Sequence, residues 1–380
     1  MAENTITGLV PDIYEALDIV SRELVGMIPA ITINASAATA AVGQNIRVDV
    51  EPEGNLTDVT PSMTIPEPTG QTSDYVDIVI TKSKAAEFGF VGEAQLGLNS
   101  GPGYPNVRAQ KIAQAIRKVT NAVELDLTGL FSTMSRAVGT AGTTPFGTAN
   151  DYTAAAQARQ VLKDNGGDID PQLVFNTDAG VNMIGKQSAV NAAGTDSILR
   201  QGVLLDVAGM PLRESAQILT PAIGDSDGNF TTTAAGFAIG TTAIPLITGA
   251  DEIIAGDLVT FAGDARQYVV TTGIDGPGTI TLSAPGLRQA IPAATTAVTS
   301  VAVAARNMCF ARSALVLASR APARPVEGDA ASDVILITDP RSGLTMEFSM
   351  YQGYRKVRYE VALAWGVKNI KPEHTAILLG

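Results

Sequence analysis

The sequence is short of the residues that most often carry chemistry. Its 380 residues include one Cys, Cys309, and one His, His374. One Cys closes no intrachain disulfide, which excludes a disulfide-stapled secreted framework. One Cys and one His also exclude Cys/His zinc sites, histidine pairs and metalloprotease helices. Aromatic residues make up 5% of the chain, with a single Trp, so few rings are available to line a nucleobase or sugar site. Charged residues are scarce too, at 17% against 45% hydrophobic, a balance too apolar for intrinsic disorder. No apolar run reaches the roughly 18 residues of a membrane span. The start, MAENTITGLVPD, has neither a basic stretch nor an apolar h-region, so the expectation is a soluble intracellular product without a signal peptide.

What is present is acidic and long enough to bury a core. The formal net charge is −12, which argues against tight, non-specific binding of nucleic acid over the whole surface. The length fits two or three compact units of about 100–200 residues each. Residues 11–25, PDIYEALDIVSRELV, are predicted to form an amphipathic helix. Pro11 suits the first helical position, and Asp12 and Glu15 suit the positive end of the dipole. Ile13, Leu17, Val20 and Leu24 make one apolar stripe. Asp12, Glu15, Asp18 and Glu23 leave the other surface acidic, which reads either as a solvated face or as a docking face for a basic partner.

Residues 31–81 change character. Strand-like pieces at Asn45–Val50 and Tyr75–Thr81 flank a stretch rich in Pro, Gly, Thr and acid. From Val48 to Thr81 there is no Lys or Arg, yet Asp49, Glu51, Glu53, Asp58, Glu67, Asp74 and Asp77 are present. Pro52, Pro61, Pro66 and Pro68 are incompatible with a packed central strand. The pattern predicts a long, extended β-hairpin arm. Residues 106–136 are the clearest helix, with Ile112, Ile116, Val119, Val123, Leu127, Leu130 and Met134 advancing by threes and fours. Such a helix would span roughly 45 Å. Arg108, Lys111, Arg117 and Lys118 make its first half basic, either as a solvated face or as the seat for an acidic arm of another copy.

Beyond the helix, residues 137–221 alternate turns, helices and strands. A helix is expected to end at Gly166 and Gly167, PQLVF is expected to be a buried strand, and 197–215 a hairpin turning at Gly209. Residues 222–305 are dense in Thr, Ala and Gly, with Arg266 and Arg288 as the basic residues. Short strands at Phe237–Ile239, Leu258–Phe261, Gln267–Thr271, Thr279–Leu282 and Ala297–Val301, between Gly-Asp turns, predict a small β-barrel or sandwich inserted in another domain. Mixed patterning then resumes, with strands at Ala314–Ala318 and Val334–Thr338. A long period-2 strand runs through Val357, Tyr359, Val361, Leu363, Trp365 and Val367.

Candidate chemistry is thin. Gly180–Lys186 fits the first seven places of a phosphate-binding loop. Gln187 stands where Ser or Thr would hold magnesium, so a helix start is the better reading. Asp225–Asn229 resembles part of a calcium loop, but Gly236 occupies the twelfth place where Glu is required. Asp164–Asp170 is a second acidic turn. A Ser-His-Asp triad could use only His374, no Gly-x-Ser-x-Gly elbow exists, no spacing points to a carboxylate pair, and Cys309 reads as a small buried hydrophobe. No catalytic residue, metal or cofactor is expected.

The order of parts is nevertheless specific. It resembles a tailed-bacteriophage major capsid protein of the Hong Kong 97 type, and within that type the coat proteins of the Salmonella short-tailed phages, whose inserted barrel is called the I-domain. Arg117-Lys118-Val119-Thr120-Asn121-Ala122-Val123-Glu124-Leu125 is similar to that family's spine pattern, Arg-Lys-x-x-Asn-x-Val-Glu-Leu. Ala362-Leu363-Ala364-Trp365-Gly366-Val367, followed by Pro372-Glu373, is similar to its closing strand, and Gly256–Gly263 to a Gly-Asp strand of its barrel. Asp18 and Pro29 keep the family's spacing. The insert is shorter than in the best-known members, and Asp225–Asn229 reads as the remnant of their long loop.

The resemblance implies an α+β capsid fold. Its parts would be an N-terminal arm at 1–40, an extended E-loop hairpin at 41–82, a P-domain with the spine helix at 83–136, and an A-domain at 137–221 and 306–350. An inserted β-barrel would occupy 222–305, and the closing P-domain strand and C-terminus 351–380. It also implies pentamers and hexamers in an icosahedral procapsid, a scaffolding protein, a portal, and enclosed double-stranded DNA bound without sequence preference. The shell would form in the host bacterial cytoplasm and expand on packaging. A cellular encapsulin-like compartment shell and a nucleotide-binding enzyme are the alternatives. Scaffold docking is expected at Asp12, Glu15 and Asp18. An inter-subunit arm is expected to use Asp49, Glu51, Glu53, Asp58 and Glu67, and its seat Arg108, Lys111, Arg117 and Lys118. Charge reversal at Asp18 is therefore expected to lower the scaffold content of assembled particles, read by gel densitometry. Unchanged content would refute the docking face.

Overall fold

The computed structural model describes residues 23–50, 58–61, 63, 74–98, 103–148, 151–186, 206–224 and 229–380. The chain is mixed α+β, with many strands and few helices. It begins with β1 (Thr32–Ala40), β2 (Asn45–Val50), β3 (Asp74–Val79) and β4 (Lys82–Val91). Helix α1 (Gly92–Leu98) and the long helix α2 (Tyr104–Thr128) follow, then β5 (Arg136–Val138), α3 (Thr153–Asp164), β6 (Pro171–Phe175), α4 (Thr177–Lys186) and β7 (Leu212–Glu214). The middle of the chain gives β8 (Phe230–Thr231), β9 (Ala243–Leu246), β10 (Glu252–Ile253), β11 (Leu258–Phe261), β12 (Gln267–Thr272), β13 (Ile274–Asp275), β14 (Gly278–Leu282) and β15 (Ala297–Ser300). It closes with β16 (Arg306–Ala311), β17 (Leu315–Pro322), β18 (Ala331–Thr338), β19 (Thr345–Gly353), β20 (Lys356–Asn369) and β21 (Thr375–Leu379).

The period-2 pattern at 357–367 becomes β20, which organises the first sheet. Lys356–Trp365 pairs with β4 along one edge; on the other edge Lys356–Ala362 pairs with β19 and Ala364–Asn369 with β17. Beyond them lie β18 and β1, giving the order β1-β17-β20-β19-β18. Val361, Leu363 and Trp365 share one face and join Ile112, Ile116, Val119, Val123 and Leu127 of α2 in the main core. The intervening positions Ala362, Ala364 and Gly366 are small, so a second layer can approach the opposite face. There Ala364, Val316 and Ala318 meet Ile78 and Ile80, at the base of the β2–β3 hairpin. The hairpin itself is in register from Asn45↔Val79 to Val50↔Asp74, as its two strand-like segments predict.

Helix α2 is shorter than expected. It starts at Tyr104, with Pro105 in the first turn where a missing N–H costs nothing, and ends at Thr128 before a 3-10 turn, Gly129–Thr133. The physical reason lies in three hydroxyls that bond back three residues: Thr128 Oγ1 to the Leu125 carbonyl, Ser132 Oγ to Gly129 and Thr133 Oγ1 to Leu130. Side-chain bonds of this kind compete with the α-helical ladder and tighten the chain. Twenty-five residues make the helix about 37 Å long.

The second sheet runs β7-β6-β16-β21-β5-β12. Helices α3 and α4 cover one face of it, where Ala158, Leu162, Ala179 and Met183 pack on Leu173, Phe175 and Cys309. Its other face adds Val174, Met308, Phe310 and Ile377 to the core under α2. Helix α3 stops as expected, with Gly166 at φ 75° and the Gly167 N–H on the Leu162 carbonyl at 2.8 Å. Of the hairpin expected at 197–215, residues 197–205 lie outside the described residues; in the rest, Val207 bridges Met210 across a turn at Ala208 and Gly209, both at positive φ. Leu212–Glu214 leaves it to pair parallel with β6. Phe237–Ile239 is likewise no strand; Phe237 makes one bridge to Ile291.

Six antiparallel strands follow one another as β8-β15-β11-β12-β14-β9. The row closes on itself through Thr232↔Leu246 and the Ile247 N–H on the Thr231 carbonyl at 2.9 Å. This ring has its own core of Phe230, Ile244, Val259, Tyr268, Val270 and Ile280. It is spliced to the second sheet, because β12 also pairs with β5 at Gln267↔Ala137 and Tyr268↔Arg136.

Gly366 marks the closest approach between β20 and the hairpin base. A Cβ there would lie 2.0 Å from the Val79 carbonyl oxygen. Gly366→Val is therefore expected to lower stability by about 1–3 kcal/mol by overpacking. Urea unfolding checks this, and limited proteolysis should show faster cleavage in the hairpin.

Candidate functional site

Helix α2 places Arg117, Asn121 and Glu124 on one side, spaced four and three residues apart. All three hold the segment that enters the body at Glu23. The Glu23 carboxylate accepts Arg117 Nε at 2.6 Å and Asn121 Nδ2 at 2.7 Å through Oε2, and Arg117 Nη2 through Oε1. One helical turn on, the fully buried Glu124 gathers the backbone of the same segment. Its Oε1 accepts the N–H groups of Gly26 at 2.7 Å and Met27 at 2.8 Å, and the Ser215 hydroxyl at 2.7 Å; its Oε2 accepts the Ile28 N–H at 3.0 Å. A buried carboxylate is tolerable only when its lone pairs are filled in this way. Gly26 is required for the passage, since a Cβ there would meet the Glu214 carbonyl oxygen at 2.5 Å.

This arrangement corrects one expectation. Arg117 is not part of an open basic face, because its guanidinium is engaged by Glu23 of its own chain. Arg108 lies over the Tyr104 ring, 5.4 Å from the centroid. Lys111 and Lys118 are exposed and, with Lys84 of β4, front a groove of about 530 Å³ between α2 and β4. Glu87 is its one carboxylate, and Phe88 and Trp365 add apolar wall. The Trp365 indole donates to Asp126 Oδ2 at 2.8 Å, and Lys82 bonds the other oxygen of that carboxylate. Lys84 was missed in the sequence because it sits on a strand, and its partners Lys111 and Lys118 come from a helix later in the chain.

Of the acidic arm, Asp49 on β2 and Asp58 are exposed. Val59 and Met63 beside them are fully exposed apolar residues. Asp77 is taken within the hairpin, by Arg47 and Asn45 at 3.4 Å each. Asp12, Glu15, Asp18, Glu51, Glu53 and Glu67 lie outside the described residues, as do Asp225, Ser226, Asp227 and Gly228.

The weaker chemical candidates are dispersed. Gly180–Lys186 lies inside α4, where Gly180 packs against Glu214, so these residues form helix and not a loop around phosphate. Asp164, Asp168 and Asp170 face three different arginines, Arg136, Arg159 and Arg312. Cys309 is fully buried, its thiol pushed up to about 12 by burial, and it donates to Met210 Sδ at 3.6 Å. The His374 ring lies against Gly167, and burial pulls it below the ordinary histidine value. Among the described residues no helix is long and apolar enough to cross a membrane.

No sequence-family model matches the chain, and no curated protein does. Solved structures do resemble it. A Mycobacterium phage Che8 chain is 13% identical over 89% of this chain and 84% of its own, with a TM-score of 0.44. The capsid of Myoviridae phage XM1 is 10% identical, covering 96% and 95%, with a TM-score of 0.46. A virus-like particle from Pyrococcus furiosus is 10% identical, covering 97% of each chain, with a TM-score of 0.43.

The Arg117 hydrogen bond holds the Glu23 carboxyl at about 2, below its ordinary 4.5. A carboxyl depressed by folding contributes stability that is complete above its unfolded value and is lost as pH falls toward the folded one. Arg117→Met is thus expected to destabilise the protein at neutral pH, with the gap to wild type closing between about 4.5 and about 2. Denaturant midpoints measured across that range check it; a gap constant with pH would contradict it.

Proposed function

We propose that the chain is a shell subunit of the tailed-bacteriophage capsid type, assembling as pentamers and hexamers into an icosahedral procapsid around double-stranded DNA. The observation that carries this reading is complementary charge at two separate places on one chain. An acidic hairpin arm packs its base on β17 and β20, while the groove fronted by Lys84, Lys111 and Lys118 lies between α2 and β4. Unlike patches that match each other are the elements of a heterologous contact, which closes by symmetry when many copies meet. Charged pairs at such a rim set register more than affinity.

In this reading 41–82 is the arm, and 83–136 with 351–380 form the body beneath it. The segments 137–221 and 306–350 make the A-domain, 222–305 an inserted barrel, and 1–40 an arm that meets an internal scaffolding protein through Asp12, Glu15 and Asp18. The closed ring of six strands with its own core supports the barrel. The arm's Asp49, Glu51, Glu53, Asp58 and Glu67 meet Lys84, Lys111 and Lys118 of a neighbouring copy. An acidic shell, at a formal net charge of −12 per chain, leaves packaged DNA free to slide, since only cationic surfaces release its counterions.

The test is co-expression with the gene just upstream, where a scaffold is expected, followed by negative-stain electron microscopy. Uniform closed shells are expected from wild type, and none from Lys84→Glu/Lys118→Glu with an unchanged circular-dichroism spectrum. Shells that form equally well in the double variant would overturn the arm seat. Soluble folded monomers alone in the wild type would overturn the shell reading.

A further inference from the structure

The first sheet ends in β1 on one side and β18 on the other, and among the described residues β18 pairs with β19 alone. A strand edge presents a row of main-chain donors and acceptors that another strand can fill. Other long edges of the protein are blunted. A register shift between Ala35 and Thr39 interrupts β1, and the hairpin strands β2 and β3 carry Arg47, Asp49, Asp74 and Asp77. Residues 334–338 of β18, Val-Ile-Leu-Ile-Thr, hold no charge, Pro or Gly, and Leu336 and Thr338 are exposed. The phase of the ladder decides which main-chain groups face outward. The Asp339 N–H donates to the Leu344 carbonyl at 2.9 Å, directly across the pair. Bonded and open pairs alternate along an antiparallel ladder, so Ile337, Ile335 and Asp333 bond to β19. Val334, Leu336 and Thr338 then turn their N–H and C=O groups to the free edge.

The edge is self-complementary. The Val334 N–H is already taken by Asp333 Oδ1 at 2.7 Å, which leaves Leu336 and Thr338 each with a donor and an acceptor. Asp333 bounds them at one end, and the exposed Arg341 lies beyond the other. Laid antiparallel on a second copy, two registers each give four main-chain hydrogen bonds. A register centred on Leu336 sets Asp333 opposite Asp339 of the second copy. A register centred on Ile337 sets Asp333 opposite Arg341, Leu336 opposite Thr338, and Val334 opposite Pro340. Like charges across a ladder destabilise it and opposite charges stabilise it, which selects the second register. Its end is consistent too: Pro340 has no N–H to give and Val334 has none to spare, so the ladder stops where its donors do.

We propose that β18 pairs antiparallel with β18 of a second copy, with Ile337 on the two-fold axis, so that two first sheets become one continuous sheet. The contact is isologous, whereas an arm seated in the lysine groove of a neighbour is heterologous, and neither requires the other. With about three residues a side, against roughly 20–30 in a stable interface, the pairing is transient between free chains. It is therefore tested by covalent trapping.

The test uses full chains with one added cysteine each, under mild oxidation, their folding checked by circular dichroism. Cys309 is fully buried and stays out of the reaction. A hydrogen-bonded pair holds its Cα atoms about 5.5 Å apart, within reach of a disulfide. Leu336→Cys mixed with Thr338→Cys is expected to crosslink at least about tenfold faster than Leu336→Cys mixed with Val42→Cys, an exposed position elsewhere. Leu336→Cys alone is expected to stay near that background, because this register keeps its two Cα atoms more than about 7 Å apart. Arg341→Glu added to both partners should slow trapping about two- to fivefold, and Asp333→Arg with Arg341→Asp should restore it. Trapping of the mixture at the Val42 background, or faster trapping of Leu336→Cys alone, would overturn the proposal. So would an Arg341→Glu rate equal to that of the parent mixture, or a loss that the charge swap does not restore. Trapped dimers from a chain that forms no shells would sink the shell reading and leave this contact standing.

Discussion

Glu124 is the group on which the arrangement of the body depends. Its carboxylate is fully buried and is held there by three consecutive backbone N–H groups and a hydroxyl. Hydrogen bonds to a charged acceptor are worth about 1.5–3 kcal/mol each, and together they offset the cost of removing the charge from water. The consequence is geometric. Residues 26–28 can cross the helix at one place only, with Gly26 pressed on the Glu214 backbone and Ser215 on the same carboxylate. One side chain thus fixes the entering segment, the long helix and the β7 end of the second sheet relative to each other.

The long strand β20 does the complementary work from the other side. It is hydrogen-bonded to β4, β19 and β17, and it presents Val361, Leu363 and Trp365 to the helix. Its alternate positions shrink to Ala362, Ala364 and Gly366, so the hairpin base lies directly on its back. A strand buried on both faces needs this asymmetry, with large residues toward the core and small ones toward a close backbone. The acidic hairpin is thereby carried on a rigid base, while the lysine groove faces another side of the same sheet. In the proposed shell, the opposite charges held apart in one chain would meet between copies as halves of a repeated contact.

The sequence exposed periodic elements well. The hairpin strands, the helical stripe through Leu127, the stop at Gly166 and the period-2 closing strand all depend on neighbours close in sequence. The failures are equally physical. The helix ended early because Thr128, Ser132 and Thr133 offered hydroxyls to the backbone, a competition that hydrophobic spacing does not register. Leu212–Glu214 pairs parallel with Leu173–Phe175 of β6, a partner that turn signals close in sequence do not register. Arg117 looked like one of four solvated cations, whereas Glu23 claims it from 94 residues away.

An acid on the buried side of the long helix, in a row with Ala113, Thr120 and Thr128, was the one visible sign of the Glu124 site. Composition and short-range pattern determined the two hairpin strands, the helical stripe, the helix stop at Gly166 and the long closing strand. Those properties are set by residue type and by spacings within one element. The Glu124 clamp, the third lysine of the groove and the splice between ring and sheet were decided only by tertiary structure. Each brings together residues from distant parts of the chain, and a hydrogen bond or a surface charge has meaning only beside the group that faces it.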